Sequence, residues 1–390
     1  MSGRGKWLFV FFSFLILQAP IAIGESVVGL GKVISIHDSD IGLETAVSSN
    51  DGNFLLTFGV GNSIYKINST NPENFDEIYF NGSDDLIDAD FHPSDKSALI
   101  VGENGVVLRF SRSDNNVTDA GGRIFFGQTE LMAISWNGDG SWSYIGGQDG
   151  WLWRARGTEN GGLDVFPIED RKISDVTGID CIRERNFCII STKSDGIGII
   201  DDDHKITWIG GNGYPWKDVV CPKNADNVCI AISDEKNIAT IRINIFMVED
   251  STIEVIQLLE LEGLFTDIFY YEGSKSLISL APFSIIEHDY VEERSYPWLK
   301  NSDVSEYNSE ISGELVIYSW TVGQGNGWIL TSPGNIIEYT PSELREENQF
   351  FDEIFAVIIV GLVAAILLTA SVYAVPKVKE ILHKEREKSQ

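Results

Sequence analysis

Positive charge is in short supply in this sequence. Its 390 residues carry 29 Lys and Arg against 58 Asp and Glu, a formal net charge of −29. Such a surface repels the phosphates of nucleic acid and of anionic lipid, which argues against a nucleic-acid partner and for cations, basic partners or a saline medium. Histidine is scarcer still. Of the five, His37, His92, His204 and His288 lie scattered before the C-terminal tail without motif spacing. That leaves no basis for a His-built metal centre. There is no glycine-rich phosphate cradle and no nucleophile elbow, so no known catalytic motif is present. Cysteine is limited to four residues with no C-x-x-C, which removes the usual dithiol redox motif.

What is present starts at the two ends. Arg4 and Lys6 precede the apolar run Trp7–Leu17, and Ala22-Ile23-Gly24 follows. This is the order of a secretory signal peptide over residues 1–24, with an uncleaved anchor as the alternative. Ile354 to Val375 carries no charge over 22 residues. At 1.5 Å per residue that is about 33 Å of helix, enough for a bilayer core. Asp352 and Glu353 flank it on one side, and Lys377, Lys379, Lys384, Arg386 and Lys388 on the other. The basic side belongs in the cytoplasm. The expected product is a single-pass type I membrane protein. It has an extracytoplasmic domain over 25–340, an acidic stalk over 341–353 whose helix starts at Pro341, a span over 354–375 and a basic tail over 376–390. Residues 25–353 hold 22 basic and 55 acidic residues, so the acidity lies wholly outside the membrane.

Between these ends the chain repeats. "AVSSNDGNFLLTFGVGNSIYKIN", Ala46 to Asn68, joins a polar turn, an apolar strand, a glycine-rich turn and a second strand. The second turn recurs from Gly59, Gly102, Gly146, Thr192, Ser233, Ala281 and Ser332, at spacings of 43, 44, 46, 41, 48 and 51. The polar turn keeps phase with it, from Asn50-Asp51-Gly52 to Gly325-Asn326. A period near 44 with several short strands per unit predicts propeller blades, which bury their faces by packing around an axis. A β-sandwich gives no reason for the phase to persist. The expectation is an all-β, seven-bladed propeller, with six and eight blades also open. Val27–Ile36 reads as a lone strand able to complete the last blade and lock the ring.

"ALIVGENGVVLRF" and "SYIGGQDGWLWR" carry a resemblance to the broad β-propeller class of WD-repeat, YVTN-like and photosystem-assembly-factor-like repeats. It covers most of the outer domain and singles out no one family. The Gly-His and Trp-Asp marks of WD repeats are missing, as is a full Asp box.

The cysteines fall in adjacent units. Cys181 and Cys188 flank a short turn, as do Cys221 and Cys229 around Asn224–Asp226. Opposed strand residues stand about 4.5–5.5 Å apart, within disulfide reach, and a secretory signal supplies an oxidising compartment. Pairs 181–188 and 221–229 are expected, each closing a short loop and contributing about 2–2.5 kcal/mol. C-x6-C and C-x7-C are poor zinc spacings.

An acidic residue recurs where each blade's first strand begins, at Asp88, Asp175, Asp218 and Asp267. Around one channel mouth these would form a cation- or amine-binding funnel. Local turn capping is the competing reading. Asp201-Asp202-Asp203-His204-Lys205 lacks the alternating oxygens of a calcium loop and reads as a solvated turn. Trp136, Trp142, Trp151, Trp153, Trp208 and Trp216 concentrate in blades three to five, with Trp151 and Trp153 alternating as strand core. Tyr214-Pro215-Trp216 follows a glycine-rich stretch and reads as an exposed aromatic contact. Asn68, Asn81 and Asn116 begin N-x-S/T acceptors for glycosylation. The polar stretch Asn301–Gly313 reads as an inserted loop. The function expected is binding or scaffolding of protein partners at the membrane, with no cofactor. The alternative is a ligand-sensing or enzymatic propeller using the acidic funnel, with Ca²⁺ as its candidate ion.

Overall fold

The computed structural model describes residues 26–342 apart from 159, 160, 224, 226 and 324. The expected signal peptide, span and tail lie outside the described residues, as does nearly all of the stalk. Among the described residues no helix is long and apolar enough to cross a membrane.

The repeat folds as seven four-stranded antiparallel sheets. The first strands of the blades, innermost in the ring, are Leu43–Ser48, Leu86–Phe91, Leu131–Trp136, Val176–Cys181, Trp216–Val220, Leu264–Glu272 and Val316–Gly323. Each packs on the next, and the last returns to the first. The second strands, such as Phe54–Gly59, Cys188–Thr192 and Val228–Ser233, are buried along their whole length. Their mostly apolar sequences follow from that, because a blade is covered on both faces. Seven buried apolar clusters fill the seven gaps between neighbouring blades.

One residue per blade anchors the inner strand. Leu43, Leu86, Leu131, Val176, Trp216, Phe265 and Val316 are all at most 2% exposed. The register then slips, between Leu43 and Thr45, Leu86 and Asp88, and the corresponding pair in every blade. A bulge of this kind re-aims the next side chain. Here it sets Thr45, Asp88, Ala133, Gly178, Asp218, Asp267 and Tyr318 at equivalent positions around the axis.

Because the strands alternate in direction, the ring has two distinct faces. Turns joining strands one to two and three to four lie on one face. Turns joining strands two to three, and the links between blades, lie on the other. Asn104-Gly105 and Asp149-Gly150 make the latter turns with φ of 52° and 66°, and 56° and 68°. Asn-Gly and Asp-Gly are suited to those angles. The glycine opening the turn has a separate reason. A Cβ on Gly102 would sit 2.1 Å from the Asp85 carbonyl oxygen. Gly102→Ala is therefore expected to lower stability by about 1–3 kcal/mol in urea titrations followed by tryptophan emission. The equivalent residue in blade three is Gly147, not Gly146, since Gly147 meets Glu130 in the same way.

The ring closes through its N-terminus. Val28–Ser35 becomes the fourth strand of blade seven, beside Asn335–Pro341. Pro341 thus ends a strand and does not open a helix. Asn301–Gly313 is inserted between blades six and seven, but it is structured. It holds a short helix, Asn301–Tyr307, and a 3-10 turn, Ile311–Gly313, with Val304 and Ile311 buried. This insertion grips the closing strand: the Lys300 N–H donates to Ser26 Oγ at 2.9 Å, Ser26 donates to Asp303, and Tyr307 donates to the Gly31 carbonyl. Both disulfides join strands one and two at the same end of their blades: Cys181–Cys188 between paired residues and Cys221–Cys229 just past the last pair, Val220 with Ile230, with Cα separations of 4.0 and 4.2 Å.

Candidate functional site: an acidic cup

The face carrying the blade links holds a central cavity of about 360 Å³ lined by Glu44, Asp88, Lys193, Lys217, Asp218 and Asp267, among others. The bulge explains three of these. An inner strand has no partner on its axial edge, so its axial N–H groups need acceptors. Asp88 accepts from Ala89 and, across the gap between blades, from Ile134, both at 2.8 Å. Asp218 accepts from Val219 at 2.7 Å and Asp267 from Ile268 at 2.8 Å. The two carboxyl groups of Asp218 and Asp267 also hydrogen-bond each other. Capping and clustering therefore occur in the same residues.

Crowding shows in their protonation. Burial pushes Asp88 well above the ordinary carboxyl value, with Asp218 adding to it. Burial does the same to Asp218, reinforced by Asp267. Asp267 is raised by burial to about 6, opposed by its hydrogen bond from Asp218. Glu44 is raised by burial and by Asp85.

Asp175 does not join them. Blade four's inward position is Gly178, where a Cβ would lie 2.7 Å from Asp218 Oδ1. Asp175 sits three residues earlier, equivalent to Asp85. Each accepts an N–H from the preceding blade's turn at 2.9 Å, Asp85 from Gly61 and Asp175 from Asp149. Lys193 stands 3.7 Å from Asp175.

Deeper in the channel lies a second tier, Asp90 and Asp180, two residues after the bulged position and so on the same side of the strand. Asp90 accepts the Trp136 N–H at 2.8 Å and meets the Arg183 guanidinium at 3.0 Å. Asp180 accepts the Cys221 N–H at 2.6 Å, and burial lifts it to about 6. Arg183 crosses from blade four to blade two beneath the cup. The alternation Asp88-Ala89-Asp90 is the sequence signal for this tier. Asp90→Ala would strand the half-buried Arg183 and free the Trp136 N–H. A loss of about 3–5 kcal/mol is expected by urea titration.

The aromatic expectations need correction. Trp216 is 1% exposed, because it occupies the anchor position of blade five, and its Nε1 donates to the Gly211 carbonyl at 2.7 Å. Tyr214 is half-buried against it, at 5.3 Å between ring centres. Trp153 is core, but Trp151 lies in a turn, 38% exposed, with Arg171 over its ring. Asp201 caps its own turn by accepting from Asp203 and Lys205. His92 braces Trp136 and the Gly140 carbonyl. Among the described residues no cluster of His, Cys, Asp or Glu could hold a metal ion. Asn68, Asn81 and Asn116 are all exposed.

No protein-family model matches this chain, and no curated protein matches it. Among solved structures, the β-propeller domain of Myceliophteria thermophila Cps50 (Swd1) aligns with a TM-score of 0.62 and 9% identity. The match covers 81% of this chain and 100% of that one. Likeness at that identity concerns the fold alone, and with the seven sheets it makes the chain a seven-bladed β-propeller.

Proposed function

We propose that this protein is a membrane-anchored, extracytoplasmic scaffold that binds protein partners through the face bearing the acidic cup. One observation carries the reading. Val60, Ile124, Trp151, Ile173, Leu264 and Leu315, between 38% and 84% exposed, ring the cup on that face, spread over its turns and blade links. Apolar side chains around a charged centre suit a protein partner whose basic group meets the carboxylates while its apolar residues meet the rim. The two disulfides support an oxidising compartment, and the uncharged run 354–375 supports anchorage. The test is a photo-crosslinking residue placed at Ile173 or Leu264 in intact cells. A discrete adduct from both sites, absent from a control at Tyr296 on an outer strand, is expected. Equal labelling at all three, or none, removes the reading.

A second reading, a ligand-sensing or enzymatic propeller, is favoured by the convergence of Asp88, Asp218 and Asp267. Calorimetric titration with a small amine tests it: saturable heat lost in Asp218→Asn supports it, and no heat removes it.

A further inference from the structure

We propose that the opposite face, over blades five to seven, rests on a lipid bilayer through the tip formed by Phe246 and Met247. This rests on the anchorage reading above. The chain leaves the propeller on that face: Tyr339 pairs with Gly327, just past the turn between strands one and two of blade seven, and Pro341 ends the strand. Only 12 residues separate Pro341 from Ile354. Fully extended they reach about 40 Å, so a spanning segment would keep this face near the membrane.

The same sector carries exposed apolar side chains. Phe246 is 90% and Met247 55% exposed in the turn between strands three and four of blade five. Val291, 69% exposed, occupies the corresponding turn of blade six, and Val322, 41% exposed, lies beside the exit in blade seven. Arg242 at the base of the first turn meets Glu293 in the second at 3.0 Å, which makes the two tips neighbours. The Phe246 tip is held in shape. Asn244 Oδ1 accepts from Phe246 and Met247 at 3.0 and 3.1 Å, and the Asn244 N–H donates to Ser251 Oγ at 3.0 Å. An aromatic and a thioether presented on a fixed turn fit the interfacial zone of a bilayer.

Charge and modification sites select the lipid and the tilt. Glu249, Asp250, Glu292 and Glu293 flank the tips, so the surface matched is zwitterionic, because anionic headgroups would be repelled. The acceptors on this face, Asn68 and Asn116, belong to blades one and two, outside the sector.

The test uses the full chain in phosphatidylcholine vesicles, with and without brominated acyl chains as quenchers. Phe246→Trp is compared with the parent and with Val60→Trp on the cup face, and alkaline carbonate extraction is run in parallel. The expected result is retention after extraction, with quenching of most of the emission that Phe246→Trp adds and none of that from Val60→Trp. Retention without extra quenching overturns the bilayer contact and leaves anchorage standing. Release by carbonate overturns anchorage and the contact with it.

Discussion

Removing residues 26–35 should abolish cooperative folding of the propeller. The closing strand supplies Val28 to the cluster between blades six and seven, where Val27, Leu30 and Val33 also pack beside Trp298 and Tyr339. Ile34 packs in the cluster between blades seven and one. Burying Val28 contributes about 1.5–3 kcal/mol, the four half-buried side chains less than that each, and each edge hydrogen bond about 0.5–1.5. The sum is on the order of 5–10 kcal/mol, against a usual total of about 5–15 for a domain. Truncation also leaves the insertion at Asn301–Gly313 without Ser26 and Gly31. Equilibrium urea unfolding of the truncated chain should show a broad transition beginning without denaturant. A sharp transition near the parental midpoint would show that the ring does not depend on its clasp.

Stability should fall as pH rises from about 4 to 6.5. Asp180 and Asp267 have folded values near 6 against an ordinary 3.8, and burial raises Asp88 and Asp218 well above it too. A carboxyl raised by folding contributes stability that is complete below its unfolded value and is lost as pH climbs through its folded value. A tenfold difference in proton affinity between the folded and unfolded chain corresponds to about 1.4 kcal/mol. His288 acts in the opposite sense: burial lowers it to about 4, so it costs stability as pH falls from 6.5. Four carboxyls against one imidazole leave a net loss as pH rises through about 6. Below about 4 the trend reverses again. There Asp139, lowered by its bonds from Ser141, must take up a proton, as must Asp289, lowered against burial by backbone bonds from Glu292 and Val291.

Asp218→Asn isolates the cause. The amide oxygen still accepts from Val219, and the amide nitrogen donates to Asp267, so geometry is kept while one charge leaves. The variant should gain about 1–3 kcal/mol at pH 8 and nothing at pH 4, in paired urea titrations. Equal stability of parent and variant at pH 8 would mean that the cup carboxyls do not repel one another.

The repeat is legible in the sequence because each blade repeats the same chemistry: an apolar anchor, a polar turn, a glycine-rich turn. The disulfides follow from strand pairing alone. Asp88, Asp218 and Asp267 are readable as a set because they share one bulged position. Asp175 falls outside that set by three residues. A turn acid and an axial acid look alike when the bulge between them is not visible in one-dimensional spacing. Trp216 misleads for a related reason. A large aromatic after Gly-Asn-Gly-Tyr-Pro looks like a loop tip, whereas it fills the anchor position that Leu, Val or Phe fills elsewhere. Arg183 carries no local signal at all, because its partner Asp90 lies two blades away and only ring closure brings them together.

Hydrogen exchange of the backbone amides in Val28–Ser35 examines closure most directly. If the ring is clasped as described, the alternate amides of Val28–Ser35 that face Asn335–Pro341 are protected together with that strand and open with it as one unit. Exchange of Val28–Ser35 at the rate of an unstructured peptide, with Asn335–Pro341 still protected, would contradict it.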